Sequence, residues 1–424
     1  MRHFTSVAGF IVALCTALPA LAADLPTAKP EEVGLSSARL ARITETLKAD
    51  VERGRIPGAV VVIARRGRIA YAEAVGFRDK AAGVAMPIDA IFRIASMTKP
   101  MASVAAMMLY EDGRLFVNDP VSKYIPAFGK MQVGVERLDP MTGKSVLALV
   151  PAEREMTIQD LLRHTSGLTY GNRGTTMIHQ AYPPSSSTSA RQMTSEEFIE
   201  RLSKAPLLFH PGTRWEYGFS TDVLARVVEV ASGKPLGQFL AERVFTPLKM
   251  TDTGFVVPAG KHARIAQAFA TDPDTGKAVS IPDVTAPPKF ECGGGCAVST
   301  AADYVRFAQM LLNRGSLDGI RLLGRKTVEY MTSDHLGPTV TGAGDYLPGP
   351  GYGFGLGFAV RRETGQANLT GSAGDYNWGG AYGTAFWIDP KEQLVVVSMT
   401  QAPGAIRVHY RQLLKTFVLQ AIAD

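Results

Sequence analysis

The chain has 424 residues, of which 46% are hydrophobic and 20% are charged. This composition excludes an intrinsically disordered protein and is typical of a compact enzyme with a full hydrophobic core. The formal net charge is +6, but the lysines and arginines are scattered along the chain, so nucleic-acid binding is not indicated. Histidines, cysteines and carboxylates do not occur at metal-ligand spacing, and we expect neither a metal ion nor a cofactor.

The first 22 residues have the three-part layout of a secretory signal peptide. A basic start, Met1-Arg2-His3, precedes an apolar run from about Val7 to Leu21, and the triplet Ala20-Leu21-Ala22 offers a cleavage site. A membrane anchor fits less well, because the run is shorter than the ~20 residues that cross a bilayer. Attachment as a lipoprotein through Cys15 also fits less well, because Leu14 occupies the position of a small residue. We expect an exported protein, periplasmic or secreted, without stable membrane insertion.

The N-terminal part of the mature chain, residues 23–95, predicts a helix followed by a β-hairpin. Apolar residues recur at helical spacing from Ser36 to Arg53, and a glycine and a proline then end the pattern. Two strands are predicted at Ala59 to Ala64 and Ile69 to Val75, and the glycine between them suits a tight turn.

The middle of the chain, residues 96–290, is predicted to be mostly helical. Three threonines here and just beyond, each followed three residues later by an acid, have the pattern of helix N-caps. They are Thr157 before Asp160, Thr194 before Glu197, and Thr300 before Asp303. Segments rich in glycine, proline, serine or threonine are predicted as long loops that border a substrate cleft. These segments are Met131 to Glu155, Gly171 to Gln192 and Leu336 to Gly351.

The C-terminal part, residues 291–424, predicts further strands and a closing helix. The strands are Gly355 to Val360, Gly383 to Ile388 and Leu394 to Met399. One apolar face of the helix is formed by Ile406, Tyr410, Leu413, Leu414, Phe417 and Val418. The predicted fold is of the α/β class, in which the N-terminal and C-terminal strands share one antiparallel sheet flanked by helices. The mostly helical region is inserted between the two parts of this sheet.

Cys292 and Cys296 enclose three consecutive glycines. An even pair of cysteines in an exported chain favours a disulfide, and the alternative is two small loop residues that stay reduced. Two cysteines without a matching histidine cluster do not supply a zinc site.

Ser96 and Lys99 form the S-x-x-K pattern of an activated nucleophile. Pro100 and an apolar run follow them, so the pair is predicted to lie in the first turn of a buried helix. At a spacing of three residues the hydroxyl and the amine share one face, and a buried lysine can lose its proton and act as a base. The pattern alone fits equally a capping serine beside a solvated lysine, because such a pair is expected by chance in a chain of this length.

Several motifs, in order along the chain, resemble those of the superfamily of serine β-lactamases of class C, penicillin-binding proteins and family VIII carboxylesterases. They are Phe92-Arg-Ile-Ala-Ser-Met-Thr-Lys99, Thr157-Ile-Gln-Asp-Leu-Leu-Arg-His164-Thr-Ser-Gly-Leu168, Phe209-His-Pro-Gly212 with Trp215-Glu-Tyr217, Gly353-Phe-Gly-Leu-Gly357, and Trp378-Gly379-Gly380. The resemblance covers most of the mature chain and is strongest towards the family VIII esterases. It implies the β-lactamase/transpeptidase-like fold, with the active site between the sheet and the helical region.

By this resemblance Ser96 is the catalytic nucleophile, and Lys99 and Tyr217 manage its proton. The backbone N–H groups of Ser96 and Ala381 are implied as the oxyanion hole. An ordinary core aromatic residue is the alternative interpretation of Tyr217.

Two motifs depart from the β-lactamase pattern and bear on the substrate. Phe219 stands where those enzymes have an asparagine, and Trp378-Gly379-Gly380 replaces a Lys-Thr-Gly motif. The resemblance accordingly implies Phe219, Trp378, Gly379 and Gly380 as substrate-binding residues. Because the lysine that would face a substrate carboxylate is missing, we expect small neutral esters with short acyl chains, held against the apolar wall of Trp378.

The sequence thus predicts a serine carboxylesterase that acts on small-molecule esters through an acyl-enzyme. A β-lactamase or D-amino-acid peptidase is the alternative within the superfamily, and both departures count against it. A penicillin-binding relative that acylates without turnover, as a sensor or scaffold, is the alternative of another class. His164 and His210 are candidates for a Ser-His-Asp arrangement, but no G-x-S-x-G nucleophile elbow occurs, so structural roles are expected for them.

Overall fold

The computed structural model describes residues 25–337, 340–342 and 346–424. The predicted signal peptide, residues 1–22 with Cys15, lies outside these ranges. Within them, no helix combines the length and the apolar character needed to cross a membrane.

One large antiparallel sheet joins the two ends of the described chain. The strands in chain order are β1 (Gly58–Arg65), β2 (Arg68–Asp79), β3 (Val84–Ala85), β4 (Phe92–Arg93), β5 (Gln132–Leu138), β6 (Ser145–Pro151), β7 (Arg214–Trp215), β8 (Val298–Ser299), β9 (Ser316–Leu317), β10 (Ile320–Arg321), β11 (Thr341–Gly342), β12 (Tyr352–Phe354), β13 (Ala359–Arg361), β14 (Tyr376–Gly379), β15 (Ala385–Asp389) and β16 (Leu394–Thr400). Among the described residues this sheet has eight strands, in the order β12-β13-β14-β15-β16-β1-β2-β3. β1 pairs with β16, which places Ala59 opposite Thr400 and Val62 opposite Val397. The prediction that N-terminal and C-terminal strands share one sheet is confirmed.

Helices pack on both faces of this sheet and also form the region inserted between its two parts. In chain order the helices are α1 (Ser37–Glu52), α2 (Thr98–Glu111), α3 (Ile158–Leu162), α4 (Met177–Gln180), α5 (Ser186–Ser189), α6 (Ser195–Ser203), α7 (Ser220–Ser232), α8 (Leu236–Leu240), α9 (Ala301–Leu312), α10 (Arg325–Met331) and α11 (Ile406–Leu419). The side chains of Thr157, Thr194 and Thr300 each accept a hydrogen bond from the backbone N–H three residues later. The predicted starts of α3, α6 and α9 are therefore confirmed, as are the predicted first and closing helices.

Alternating side chains of β1 face two separate cores. Val60 and Val62 pack into the core that contains α2 and the helical region, whereas Val61 and Ile63 pack with α1 and α11. Because both of its faces are covered, β1 is buried along its whole length. The molecule is thus layered as predicted, with helices on one side of the sheet and the mostly helical region on the other.

Two of the predicted long loops contain regular structure. Residues 131–155 hold the hairpin of β5 and β6, whose turn is closed by Asp139, the carboxylate of which accepts hydrogen bonds from the N–H groups of Met141 and Thr142. This turn chemistry and the valines of the two strands favour a hairpin, so the loop prediction was wrong here. The predicted loop Gly171 to Gln192 contains the short helices α4 and α5.

The predicted strand Gly355 to Val360 is also corrected. The chain turns back between β12 and β13, and Gly357 in this connection has a φ of +104°, a conformation that favours glycine. β14 was not predicted as a strand, although it carries the Trp378-Gly379 pair of the Trp-Gly-Gly motif. The other two predicted C-terminal strands are confirmed as β15 and β16.

Candidate active site

Ser96 lies on a short 3-10 turn, Ala95–Met97, that leads into α2. Ala95 has a φ of +44°, an uncommon conformation for a residue with a side chain, and such strain is concentrated at functional sites. α2 is buried from Thr98 to Leu109, so the core fixes the N-terminus of the helix. Ser96 itself reaches a cavity, and it therefore has the predicted position at the start of a buried helix.

Lys99 lies one turn further along α2 and is only 1% exposed. Its Nζ donates hydrogen bonds to Ser96 Oγ at 3.4 Å, to the hydroxyl of Tyr170 at 3.1 Å and to the carbonyl oxygen of Gly294 at 2.5 Å. These three partners are neutral oxygen atoms. The structure thus places a buried amine against the candidate nucleophile, in contrast to the solvated lysine of the alternative interpretation.

Tyr217 approaches the same point from the loop between β7 and α7. The Nζ of Lys99 lies 4.5 Å from the centroid of the Tyr217 ring, and the Tyr217 hydroxyl accepts a hydrogen bond from Nε1 of Trp378 at 3.3 Å. The structure therefore brings Ser96, Lys99 and Tyr217 together. In this arrangement Lys99 donates to the hydroxyl of Tyr170 and lies over the face of Tyr217.

A chain of buried polar groups behind Lys99 was not predicted. The Tyr170 hydroxyl lies 2.6 Å from Ser186 Oγ, which donates to Oδ2 of Asp222 at 2.6 Å. Burial raises the pKa of Asp222 to about 6. Burial, reinforced by the charge of Asp222, also raises the pKa of Tyr170 well above its usual range, so Tyr170 keeps its proton and donates it within this chain.

The available sequence signal for these residues was their proximity to the motifs. Tyr170 follows the motif that ends at Leu168 by two residues, and Asp222 follows Tyr217 by five. Nothing in that spacing indicates that the two side chains meet through Ser186.

His164 and His210 do not line the cavity beside Ser96 in the described structure. His164 is buried with its ring centroid 4.9 Å from that of Tyr217, and burial lowers its pKa well below the usual range, so it packs as a neutral ring. Nδ1 of His210 accepts a hydrogen bond from the N–H of Glu153. The described residues also contain no group of three or more potential metal ligands.

A cavity of about 350 Å³ opens beside Ser96. One wall of this cavity is formed by Tyr217, Trp378, Gly379, Gly380 and Ala381. Ala381 is the second residue after β14, so the backbone just beyond the end of this strand borders the space in front of Ser96. The two residues implied as the oxyanion hole therefore line the same cavity.

Phe219, in contrast, is not brought to the wall of this cavity. It is 0% exposed, and its ring centroid lies 4.6 Å from that of Tyr170 and 5.4 Å from that of Phe198. The geometry gives Phe219 a packing role behind the site and no direct approach to a substrate.

The far wall of the cavity is formed by α11. Nη2 of Arg411 donates to the carbonyl oxygens of Gly380 at 2.6 Å and Thr384 at 3.3 Å, and burial lowers the pKa of Arg411 to about 10. Lys415 pairs with the buried Asp375 at 2.9 Å. Apolar and aromatic lining is contributed by Leu347, Pro348, Tyr352, Leu369, Trp387 and Val408.

Cys292 and Cys296 are joined by a disulfide in the structure, and both residues are buried. Between them, the carbonyl oxygen of Gly294 accepts the hydrogen bond from Lys99, and its N–H donates to Oδ1 of Asp222 at 3.0 Å. The pairing that the sequence favours thus lies directly behind the candidate nucleophile.

The architecture and the site together define a class of protein. Strand β14 of a large antiparallel sheet faces the turn that leads into a buried helix. The turn carries a serine, the first turn of the helix carries a lysine, and a tyrosine lies opposite them. This is the arrangement of the serine enzymes with a β-lactamase and penicillin-binding protein fold, which act through acyl intermediates.

The chain belongs to the beta-lactamase family, since the model of that family matches residues 43–415. Esterase EstB of Burkholderia gladioli is 31% identical over 390 residues, which cover 88% of this chain and 93% of the relative. Lovastatin esterase of Penicillium rubens is 29% identical and covers 84% of this chain and 92% of its own length. Among solved structures, EstCE1, a hydrolase with promiscuous acyltransferase activity, superimposes with a TM-score of 0.71 and 25% identity over 91% of this chain and 99% of its own.

Proposed function

We propose that this protein is a serine carboxylesterase that hydrolyses small esters with short acyl chains through an acyl-enzyme on Ser96. The observation that carries the proposal is the contact between Ser96 Oγ and the buried Nζ of Lys99, 3.4 Å apart at the wall of the cavity. Membership of the beta-lactamase family and the presence of two esterases among the relatives support the same reaction.

In the acylation step, Ser96 Oγ attacks the carbonyl carbon of the ester, and its proton passes to the base formed by Lys99 and Tyr217. The negative charge that develops on the carbonyl oxygen is bound by the N–H groups of Ser96 and Ala381. Each such donor stabilises the transition state by about 3–4 kcal/mol. The alcohol then leaves with the proton, and the acyl group stays on Ser96.

Deacylation uses the same groups with water in place of the alcohol. The water gives a proton to the base, its oxygen attacks the acyl carbonyl, and the acid is released as the proton returns to Ser96. Tyr170 stays protonated throughout because its pKa is raised by burial. It therefore positions the amine of Lys99, while Tyr217 lines the cavity and exchanges the proton with the leaving group.

Neutral substrates suit this cavity. Trp378 occupies the position at which the β-lactamases have a lysine, and Arg411 and Lys415 on the far wall are already bound by protein groups. Arg407 donates to the carbonyl of Gly404 at 2.5 Å. The charge of Lys415 is already paired with that of Asp375, and the apolar lining favours uncharged acyl and alcohol groups.

We further propose that the protein is exported to the periplasm or the medium. The layout of residues 1–22 supports export, and disulfides persist in oxidising compartments. Cell fractionation with an antibody should find the shortened chain outside the cytoplasm, and a full-length cytoplasmic protein would contradict the proposal.

The test of activity compares p-nitrophenyl acetate, butyrate and octanoate with nitrocefin, using the purified wild-type protein and Ser96→Ala. The matched control is Ser145→Ala, which removes an exposed hydroxyl on β6. We expect steady turnover of the two shorter esters in wild type and control, a smaller kcat/KM for octanoate and nitrocefin, and no turnover by Ser96→Ala.

Other outcomes would select the alternatives. Turnover of nitrocefin that equals or exceeds that of the esters would make the protein a β-lactamase. Release of one equivalent of p-nitrophenol followed by a stop would indicate a sensor that acylates without turnover. If no turnover depends on Ser96, the proposed mechanism is wrong.

A further inference from the structure

The loop closed by Cys292 and Cys296 contacts the catalytic lysine through its backbone. The central carbonyl oxygen, that of Gly294, accepts a hydrogen bond from Nζ of Lys99 at 2.5 Å, shorter than the contacts of the same amine with Ser96 and Tyr170. A main-chain group of this loop is therefore a principal partner of the amine beside the nucleophile.

The same glycine is also held from the opposite side. Its N–H donates to Oδ1 of Asp222 at 3.0 Å, and the other oxygen of this carboxylate accepts from Ser186, which leads through Tyr170 back to Lys99. The hydrogen bonds thus form a closed ring that contains the lysine and the loop. A shift of the loop would change the contacts of Lys99 with Gly294 and with Tyr170, which hold the amine in place behind Ser96.

The glycines allow the backbone of the loop to come this close. A Cβ at Gly294 would collide with the carboxylate of Asp222 and the hydroxyl of Ser186, and one at Gly293 would lie 2.7 Å from the carbonyl oxygen of Thr221. Three consecutive glycines, however, have more conformational freedom than any other sequence. Some further constraint is needed to keep the carbonyl of Gly294 pointed at the amine.

The disulfide supplies that constraint. It closes a loop of five residues and fixes Cys292 to Cys296 with their Cα atoms 5.3 Å apart. Ala297, the residue after the loop, is bonded to the residues on either side of Ser96. Its N–H donates to Thr98 Oγ1, and its carbonyl oxygen accepts from the N–H of Ile94. The cross-link therefore connects the glycines to a segment that is fixed relative to Ser96.

We propose that the Cys292–Cys296 disulfide positions Lys99 for catalysis by holding the carbonyl of Gly294 against its amine. This inference rests on the proposed function of Ser96 and Lys99. Reduction of the disulfide by a dithiol, which transfers two electrons and two protons and leaves as its own cyclic disulfide, yields two thiols and a loop free to move. The enzyme should then bind esters as before but turn them over more slowly.

Two pairs of proteins test this inference with p-nitrophenyl butyrate as the substrate. The first pair is the wild type and Cys292→Ala/Cys296→Ala. The second pair is Gly294→Ala, which introduces the collision described above, and Gly295→Ala, a matched control because a Cβ there has its nearest neighbour at 3.7 Å. Thiol titration establishes the redox state of each sample, and circular dichroism establishes that it is folded.

We expect kcat to fall about 10- to 100-fold in the double cysteine variant and in Gly294→Ala, the range for a misplaced catalytic group, while KM changes less than about 3-fold. Gly295→Ala should match the wild type. A loss that arose from unfolding alone would reduce the circular dichroism signal together with kcat.

Reduction of the wild type provides the second route to the same answer. Protein treated with dithiothreitol and desalted without oxygen should lose kcat and regain it on reoxidation. A folded double variant with the kcat of the wild type would overturn the inference, and so would a reduced enzyme that loses activity only as it unfolds. Failure of the proposed function is distinct, because the oxidised wild type would then lack turnover that depends on Ser96.

Discussion

The hydroxyl of Tyr170 connects the amine of Lys99 with the buried carboxylate of Asp222 by way of Ser186. Each hydroxyl in this chain accepts one hydrogen bond and donates one, so donation runs from the amine to the carboxylate. Removal of either hydroxyl would interrupt the chain and leave its buried neighbours with one hydrogen bond fewer, which is costly. The chain therefore makes the position of Lys99 depend on residues that never touch the substrate.

Tyr170→Phe should lower kcat on p-nitrophenyl butyrate by about 10- to 100-fold, because Lys99 loses a partner that holds it beside Ser96. Tyr182→Phe is the matched control, since Tyr182 is also buried but donates to the carbonyl of Pro206 at 3.0 Å. That variant should keep its kcat and lose about 1 kcal/mol of stability. Equal kcat values for the two variants would show that the Tyr170 hydroxyl has no part in positioning Lys99.

The buried carboxyl group of Asp222 makes stability depend on pH. Burial raises its pKa from the ordinary 3.8 to about 6, so between these values the folded protein holds a proton that the unfolded chain has released. The contribution of this group to stability is complete below about pH 4 and is lost as the pH rises through about 6.

We expect the unfolding free energy of the wild type to fall by up to about 3 kcal/mol between pH 4 and pH 7, relative to that of Asp222→Asn. Urea denaturation of both proteins across this range measures the difference, and the asparagine variant removes the titration without changing the size of the side chain. Parallel curves for the two proteins would mean that Asp222 titrates alike in the folded and unfolded states.

At the scale of the elements, α3 and α6 begin with the same capping pattern in different surroundings. In each, an N-cap threonine and the acid three residues later exchange hydrogen bonds. Asp160 of α3 is 0% exposed and pairs with Arg154 and a second arginine, whereas Glu197 of α6 is exposed. Burial opposes ionisation of Asp160, but the hydrogen bonds led by that of Arg154 outweigh it and keep its pKa below the usual range.

Asp160→Ala should therefore lower the unfolding free energy by about 3–5 kcal/mol, because it leaves partly buried arginines without their carboxylate. Glu197→Ala, which removes only the exposed half of a capping box, should cost about 1 kcal/mol or less. Chemical denaturation of both variants at pH 7 makes the comparison. Similar costs for the two substitutions would show that the pairs of Asp160 add nothing to its capping role.

The elements that could be predicted from the sequence are those set by neighbours along the chain. The N-caps at Thr157, Thr194 and Thr300 and the first hairpin depend on residues a few positions apart, and they are present as expected. The hairpin in residues 131–155 was missed because its signal lies in the turn made by Asp139, which composition does not reveal.

The residues of the candidate active site also differ in whether neighbours along the chain or tertiary packing bring them together. Ser96 and Lys99 could be predicted to share one face, because one helical turn separates them, and the order of the motifs predicted Tyr217 as a third member of the site. The hydrogen-bonded chain through Tyr170 could not be predicted, since Ser186 and Asp222 come from separate helices and meet only through tertiary packing. The disulfide could be expected from an even pair of cysteines in an exported chain, but its contact with Lys99 depends on where the fold places that loop.

At the scale of the whole molecule, the two ends of the described chain build one layer. α1 and α11 pack together on the outer face of the sheet, and the backbone N–H of Ala423 donates to the carbonyl of Gly34. Residues 23–95 and residues 291–424 were predicted as two parts of the α/β domain, and both contribute strands and helices to a single layered unit. The two parts are thus separate in the sequence but not in the folded structure.

Two valines on α11 test how much this layer contributes to stability. Val418 is 0% exposed against the sheet, whereas Val408 is 48% exposed. Val418→Ala should lower the unfolding free energy by about 2–3 kcal/mol through lost burial and a residual cavity, whereas Val408→Ala should change it by less than about 0.5 kcal/mol. Thermal or urea denaturation checks both values, and a small effect of Val418→Ala would mean that α11 is only loosely attached.

The pairing of β1 with β16 has a consequence for how the protein is made. The hydroxyl of Thr400 donates a hydrogen bond to the carbonyl oxygen of Gly58, 342 positions earlier in the chain. The pairing of β1 with β16 at the centre of the sheet therefore cannot form until residue 400 has left the ribosome. Contacts of such separation are formed slowly. During synthesis β1 and β2 form a hairpin with one open edge and a strongly apolar strand, which is a template for aggregation. The N-terminal hairpin is therefore open to aggregation until the C-terminal strands have been synthesised.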